Sequence, residues 1–294
     1  MDTLFSSQLL VAMLVLAAVY ALIALGLNLI YGTMRLLNVA HGEIMMLGGY
    51  VSYWAFVKLG IVPLISMLAA ILLTAILGAL CYLTIFKAVV RNRALAARLE
   101  SNSLLIFFGL SIIIQNLLSL SFSADPRSYA YLDAIIPIIG ARVELNRLVE
   151  LAIGAAATAA CVIFFRYSRL GLAIRALIQQ RDAASLIGID AEKINLLVFS
   201  LGFAIAGLAG SLVGMTTAIS PFGGFSYTIS AFIIIILGGL GNLAGGLLGA
   251  VLLSFVEIYG VAATSSAYRS ILVYGVFIAI LLVRPQGLLG RKSA

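Results

Sequence analysis

Few side chains in this sequence could carry out acid–base chemistry, and two of them stand close together. His41 is the single histidine, and Glu43 follows it in the run of residues 38–43. If they lie in or near a membrane, such ionisable groups are costly and often relay protons or bind a solute. Near a helix end, the same groups can instead snorkel or cap the helix. Both interpretations stay open for Glu43, whereas Glu257, close to the end of an apolar run, favours the second.

The sequence contains no arrangement typical of an enzyme. One histidine and two separated cysteines, Cys81 and Cys161, give no cluster with the spacing of zinc ligands. Residues 287–293 do not match the G-x-x-x-x-G-K-[ST] spacing of a phosphate-binding loop. We therefore predict that the chain is not an enzyme and has no cofactor of its own.

The composition indicates which solvent surrounds the chain. Of 294 residues, 63% are hydrophobic and 10% are charged, against roughly 45–50% and about 25% in soluble domains. So few charges cannot cover the surface of a soluble protein of this size. The net charge of +7 does not indicate nucleic acid, because the basic residues lie between apolar runs next to lipid. We predict an all-α, polytopic transmembrane bundle of about eight segments, forming one domain over residues 1–294.

Apolar stretches long enough to cross a bilayer divide the chain. The clear ones are residues 8–30, 42–59, 61–86, 104–123, 148–165, 194–219 and 266–283. Residues 229–260 would form a helix of roughly 48 Å, which is longer than a bilayer core of about 30 Å. This last stretch must therefore be interrupted.

Basic residues indicate which segments are cytoplasmic by the positive-inside rule. They lie in residues 87–98, 166–193 and 284–292, whereas the charges of residues 124–147 are balanced, which places that loop outside. Between the last two basic segments the chain must cross an even number of times. The glycines of residues 238–242 mark the interruption, where we expect a half-helix, a turn near the middle of the membrane and a return helix. Two short crossings are the alternative.

Small and neutral polar residues occur within these stretches. Gly202, Ala206, Gly210 and Gly214 recur every four residues, which favours close helix packing over a subunit interface. Neutral polar side chains at depth either line a path for a polar solute or bond a neighbouring helix. With residues 38–43 at the inner mouth of the second span, they form a candidate substrate pathway. Its members are Asn28, Asn38, His41, Glu43, Gln115, Asn116, Gly238, Gly239 and Asn242.

The loop over residues 166–193 carries the most specific pattern, and it is too polar to cross the membrane. Asp182 is a good N-cap and Gly188 a good C-terminal stop, so we predict a short helix over residues 182–187. Such a helix exposes Leu186 and Ile187 to the cytoplasm. There they fit either the groove of a partner protein or the membrane surface, and the residues alone favour neither.

Several short motifs resemble those of one family. Asp182-Ala183-Ala184, followed by Gly188, resembles the E-A-A-x-x-x-G loop of ABC importer permeases, with an aspartate in place of the glutamate. The G-x-A-x-R-A run of residues 171–176 is similar to that of branched-chain amino acid permeases. Residues 31–32, 38–43, 48–50, 125–127 and 238–242 are similar to the same family and occur in the same order. The whole chain therefore resembles a branched-chain amino acid ABC transporter permease.

The resemblance implies a multi-pass subunit of the bacterial inner membrane that translocates branched-chain or related amino acids. It implies four kinds of partner: a second, similar permease, membrane lipid, two cytoplasmic ATPase subunits that bind the ATP, and a periplasmic solute-binding protein. Residues 166–193 would then be a coupling loop whose short helix follows the motion of the ATPases. The residues expected to couple are Arg175, Arg181, Asp182, Ala183, Ala184, Leu186, Ile187 and Gly188, with the two arginines against acidic rims.

Other functions are also compatible with the residues. In an ion-coupled carrier, His41, Glu43 and Glu257 would relay protons, and the loop helix would only touch lipid. In a membrane scaffold, the same helices would hold another complex together without moving a solute. Within the permease family, amides or urea are alternative substrates.

Overall fold

The computed structural model describes residues 6–91, 99–138 and 140–289, and within these ranges it is a bundle of long helices. Seven helices are long and apolar enough to cross a membrane, and a further apolar helix is shorter. This confirms the predicted polytopic helical bundle. Four of the basic residues behind the predicted orientation, Arg93, Arg98, Arg291 and Lys292, lie outside the described residues.

The helices are numbered here along the chain. They are α1 Ser7–Met34, α2 His41–Leu59, α3 Pro63–Cys81, α4 Leu99–Phe122, α5 Leu145–Tyr167, α6 Arg169–Gln179, α7 Arg181–Leu186, α8 Ala191–Thr216, α9 Gly224–Gly238, α10 Leu243–Ala263 and α11 Arg269–Val283. A π-helical turn, Tyr82–Phe86, and a final α-helical turn, Lys87–Arg91, extend α3.

A small hairpin interrupts the helices in the loop before α5. Strands β1, Ile135–Ile138, and β2, Ala141–Glu144, pair antiparallel with Ile136 opposite Val143. Arg127 of the same loop exchanges two backbone hydrogen bonds of 2.8 Å with Ile219. We call this end of the bundle the outer end. The opposite end, where Arg35 and Arg175 line one crevice, is the cytoplasmic end by the positive-inside rule.

Helix α2 begins inside the bundle, because the chain turns back after α1. Arg35 has a φ of 53°, and the six residues that follow Met34 form no regular helix. They carry His41 back to Ile23, whose carbonyl lies 3.1 Å from the His41 Nε2. Ile23 precedes the end of α1 by about three helical turns, or roughly 16 Å. His41 and Glu43 therefore lie in the middle of the bundle, and their predicted position at its inner mouth is wrong.

Helix α9 also begins in the middle of the bundle, after an irregular segment over residues 217–223. Its first residue, Gly224, packs against Gly42 so closely that a Cβ on Gly42 would lie 1.8 Å from the Gly224 carbonyl oxygen. The Thr228 Oγ1 accepts a hydrogen bond of 2.9 Å from the Gly42 amide and donates one of 3.1 Å to the Val39 carbonyl. The starts of two shorter helices, α2 with 19 residues and α9 with 15, thus meet head to head.

The turn over residues 239–242 lies at the cytoplasmic end, so its predicted place in the middle of the membrane is wrong. The Leu237 carbonyl accepts a 2.7 Å hydrogen bond from the Leu288 amide, which follows the last span. Gly241 packs beside Gly32, two residues before the end of α1. Each of α9 and α10 therefore takes part in a separate crossing, as in the alternative considered from the sequence. The outer half of the first crossing is the irregular segment 217–223. A prediction that counts only helical residues does not recognise this segment as part of a crossing.

Helix α8 forms the centre of the bundle. A Cβ on Gly210 would lie 1.7 Å from the Met45 carbonyl oxygen of α2, and one on Gly207 would lie 2.2 Å from the Thr74 Oγ1 of α3. A Cβ on Gly202 would lie 2.7 Å from Ile30 of α1. The small stripe of α8 therefore packs within the chain, which confirms the packing interpretation.

We expect Gly210→Ala to destabilise the protein, because α2 and α8 must separate to admit the methyl group. Overpacking of this kind typically costs about 1–3 kcal/mol. The melting temperature of the purified protein in detergent should fall. Gly109→Ala is the matched control, since no atom lies within 4 Å of its added Cβ. Equal melting temperatures for the two variants would contradict this packing.

Candidate functional site

A polar centre surrounds the start of α2. Its members are Asn38, His41, Glu43, Gln115 and Thr228, and the first three have no exposed surface. The Gln115 Nε2 donates a hydrogen bond of 2.7 Å to the Glu43 Oε1. This bond joins α4 to the first turn of α2.

Several atoms of the polar centre are buried without a hydrogen-bond partner in the described ranges. They are the Glu43 Oε2, the His41 Nδ1 and both side-chain atoms of Asn38. Burying a polar atom without a partner costs about 1–3 kcal/mol. Such groups are rare in native proteins, and each one marks a place for water or a solute.

The surrounding backbone favours negative charge in the polar centre. Glu43 lies in the first turn of α2, and the start of α9 faces it across Gly42 and Gly224. Because the N-terminus of a helix carries a partial positive charge, both helix starts stabilise a carboxylate here. The arrangement can accept hydrogen bonds from an ammonium or amide group, and it contains no nucleophile paired with a base among the described residues.

The remaining pathway residues lie elsewhere. Asn28 bonds the cytoplasmic turn, since its Oδ1 accepts a 2.8 Å hydrogen bond from the Gly241 amide and its Nδ2 donates one of 2.8 Å to the Asn242 carbonyl. Asn242 caps α10 by accepting from the Gly245 amide at 3.0 Å. Gly238 packs on Gly245 in the same turn. Gly241 and Asn242 of this turn line an open crevice of about 750 Å³ at the cytoplasmic end.

Two predicted pathway residues have special positions. Gly239 has a φ of 103°, which a residue with a side chain rarely adopts, so it shapes the cytoplasmic turn. Asn116 is exposed, and its Nδ2 donates to the Ile112 carbonyl of its own helix at 2.8 Å. The structure does not bring Asn116 into the polar centre with its neighbour Gln115.

The predicted loop helix is present as α7, but its cap differs from the prediction. Gln180, not Asp182, is the N-cap residue, and its side chain makes no capping bond. Asp182 lies instead in the first helical turn, where a negative charge is still favourable. Gly188 has a φ of 85°, as expected of a residue that ends a helix.

Helix α7 projects apolar side chains from the cytoplasmic end. Leu186 is 88% exposed and Ile187 is 75% exposed, whereas Ala184 is buried and anchors the helix. Asp182, Ala183 and the arginine at 181 are exposed as well. Neighbouring exposed apolar residues on a rigid helix are typical of a surface that binds a protein partner.

Hydrogen bonds hold the loop over residues 166–193 to the bundle. The Arg175 guanidinium donates a 3.0 Å hydrogen bond to the Arg166 carbonyl at the end of α5, so this arginine fixes α6 in place. Asp190 caps α8 by accepting from the Glu192 and Lys193 amides at 3.1 and 3.2 Å. These bonds, chiefly those with Lys193, hold the pKa of Asp190 below its usual value, so the cap persists at neutral pH.

Sequence reasoning missed Glu150, a buried acidic residue that lies nearer the outer end, but it did single out Glu257. Glu150 of α5 is only 3% exposed. Glu257 accepts a 2.7 Å hydrogen bond from the Tyr20 hydroxyl and pairs with Arg269 at 2.5 Å. An acidic residue inside an apolar span is costly and often functional, so the place of Glu150 within the predicted span 148–165 was the signal that could have found it.

Comparisons with known proteins agree on one family. Residues 9–281 match the family described as "Branched-chain amino acid transport system / permease component". The chain is 33% identical to the high-affinity branched-chain amino acid transport system permease protein LivH of Salmonella typhimurium, over 95% of this chain and 93% of that one. It is 31% identical to the permease protein BraD of Pseudomonas aeruginosa, over 97% and 96% of the two chains. No solved structure matches the chain.

A second kind of permease is also similar. The permease protein LivM of Escherichia coli is 27% identical over 168 residues, which cover 56% of this chain and 35% of that protein. LivH and LivM of Escherichia coli are both named as permease proteins of the high-affinity branched-chain amino acid transport system.

We expect Gln115→Leu to destabilise the protein by about 1–3 kcal/mol, because it removes the amide that donates to the buried Glu43 carboxylate at 2.7 Å. The exposed neighbour provides the control, Asn116→Leu, which should leave the melting temperature almost unchanged. The double variant Glu43→Leu/Gln115→Leu should recover part of the loss, since removing both partners is less costly than removing one. A double variant that loses the sum of both single effects would show that the two side chains do not interact.

Proposed function

Because the chain belongs to the family of permease components of branched-chain amino acid transport systems, we propose that it is the membrane subunit of an ATP-driven importer for branched-chain or related amino acids. The observation that carries this proposal is the exposure of Leu186 and Ile187 on α7. In the proposed complex a second, similar permease completes the membrane part. Two cytoplasmic ATPase subunits bind the ATP, and a periplasmic binding protein delivers the solute.

Helix α7 is the part that the ATPases would move. Its apolar side chains fill a groove on an ATPase, as in other modes in which a short helix binds a groove. The Ile189 amide bonds the Ala184 carbonyl at 3.1 Å, and the Asp190 cap joins the same turn to α8. A displacement of α7 is therefore passed to α8, which packs on α1, α2 and α3.

The polar centre is the proposed passing site for the solute. The close contact of Gly210 with Met45 means that α8 cannot tilt without moving the start of α2. Glu43 and the amides of Asn38 and Gln115 offer acceptors to the ammonium group of an amino acid. The crevice beside Asn28 and Asn242 then provides the exit to the cytoplasm. The permease positions the solute and performs no bond chemistry.

An ion-coupled carrier fits the geometry less well. A proton relay through His41, Glu43 and Glu257 needs these groups in one chain of hydrogen bonds. Glu257 instead bonds Tyr20 and Arg269, and His41 bonds the Ile23 carbonyl. None of these contacts joins Glu257 to the polar centre.

Uptake into proteoliposomes distinguishes the two transport mechanisms. The reconstituted complex of both permeases, the ATPases and the binding protein should take up leucine with ATP and should be insensitive to a protonophore. Uptake that needs a proton gradient and ignores ATP would contradict the proposal. Normal leucine uptake in cells that lack the chain would indicate a scaffold.

A charge on α7 should uncouple transport from ATP. We expect Leu186→Asp to lower ATP-driven uptake about tenfold or more, because a free-energy loss of 1.4 kcal/mol in the contact already gives a factor of ten. Ile135→Asp is the matched control, since Ile135 is 65% exposed at the outer end. The purified ATPases should bind the Leu186→Asp variant more weakly than the Ile135→Asp variant. Full uptake by the Leu186→Asp complex would exclude α7 as the coupling element.

A further inference from the structure

A cavity at the outer end is separate from the polar centre. It has a volume of about 200 Å³ and lies between the loop before β1, the start of α5 and the end of α8. Its lining includes Tyr129, Asp133, Asn146, Thr216 and Thr217. Pockets for drug-sized ligands span roughly 300–1,000 Å³, so this outer cavity suits a smaller solute.

Two residues that line the outer cavity each have a buried oxygen atom with no hydrogen-bond partner in the described part of the chain. The two atoms are the Asn146 Oδ1 and the Tyr129 hydroxyl. Asn146 is only 6% exposed, and its Nδ2 donates at 3.4 Å to the Met215 carbonyl, which leaves the Oδ1 as the free acceptor. An unpaired buried acceptor is costly unless a ligand or water supplies a donor.

The charges around the outer cavity favour a cationic group. Asp133 lies in its lining. Behind the lining, Glu150 stands one helical turn after Asn146 on the same face of α5, and it is only 3% exposed. The nearby cation Arg147 is already paired with Glu144 at 3.1 Å. The guanidinium of Arg127, the residue before the lining segment, donates to the Ser123 hydroxyl at 2.8 Å and to the Phe122 carbonyl at 3.4 Å.

We propose that the outer cavity is a first binding site for the ammonium group of a zwitterionic amino acid, with Asn146 and Tyr129 as direct acceptors and Glu150 as the charge behind them. An ammonium group has three N–H donors and needs acceptors of this kind. The proposal rests on the proposed function, because it assumes that an amino acid arrives at the outer end. From there the next polar groups are Thr217 and Tyr227, the latter lying near both Glu150 and Glu257.

Binding of leucine to the purified permease tests the site without ATP. We expect radiolabelled leucine to be displaced by unlabelled leucine, but not by its 2-hydroxy analogue, which lacks the ammonium group. Asn146→Leu should weaken leucine binding about tenfold, because it removes an acceptor for a charged donor. Asn146→Asp should retain binding, since it keeps the acceptor. Asp125→Asn, in the same loop but outside the cavity lining, is the control and should bind like the parent.

Each alternative outcome has a separate meaning for the site. If the bond from Asn146 to Met215 were what matters, Asn146→Asp would fail like Asn146→Leu, and the proposal would be overturned. Equal competition by the 2-hydroxy analogue would overturn it as well, as would displacement by ammonium chloride with no binding of leucine. Glu150→Gln, which is isosteric, should also weaken leucine binding about tenfold, and unchanged binding would exclude this carboxylate.

Transport separates this inference from the proposed function. If the parent complex takes up leucine with ATP while Asn146→Leu raises the half-saturating concentration of the loaded binding protein about tenfold, both proposals are supported. If parent and variant transport equally, only the outer site fails. If the parent shows no ATP-driven uptake, the proposed function fails, and the binding experiment still decides the site.

Discussion

The contact between Gly42 and Gly224 is the constraint on which the rest of the structure depends. It brings the starts of α2 and α9 together in the middle of the bundle, with a carbonyl oxygen where a Cβ would otherwise stand. Backbone polar groups at this depth must find partners within the protein, because lipid offers none. Thr228 supplies them for the Gly42 amide and the Val39 carbonyl. One hydroxyl and two glycines thus make a non-helical approach to the membrane centre tolerable.

The same contact gives the bundle an inverted internal arrangement. Gly32 and Gly42 stand ten residues apart, as do Gly214 and Gly224. In each pair a long helix ends near the first glycine, and a shorter helix starts within one residue of the second. The long helices α1 and α8 run in opposite directions, and such repeats are common in transporters that bind solutes at the repeat interface. The polar centre lies at this interface, and α8 connects it to the cytoplasmic loop over residues 166–193.

Local sequence patterns predicted some features well and others poorly. The exposed apolar end of α7 and the stop at Gly188 follow from short-range helix signals, so their prediction was confirmed. The N-cap of α7 is Gln180 and not the predicted Asp182, because Gln180 ends α6 and α7 begins directly after it. The turn at Gly238 and Gly239 was recognised, but its depth was wrong, because half of the preceding crossing is irregular chain. The burial of Glu150 was missed, because it depends on how α5 packs against other helices.

The sequence by itself determined that the chain lies in lipid, that it forms a bundle of long apolar helices, and that a short helix protrudes at the cytoplasmic end. These follow from composition and from contacts within a few residues. Only the tertiary structure decided the depth of the two breaks and the partners of the buried polar groups. Asn28 bonds a turn more than 200 residues away, and Glu43 bonds a glutamine 72 residues away. Such pairs depend on how the helices cross. The close glycine contacts set those crossings, and the sequence around a glycine does not show which distant backbone it contacts.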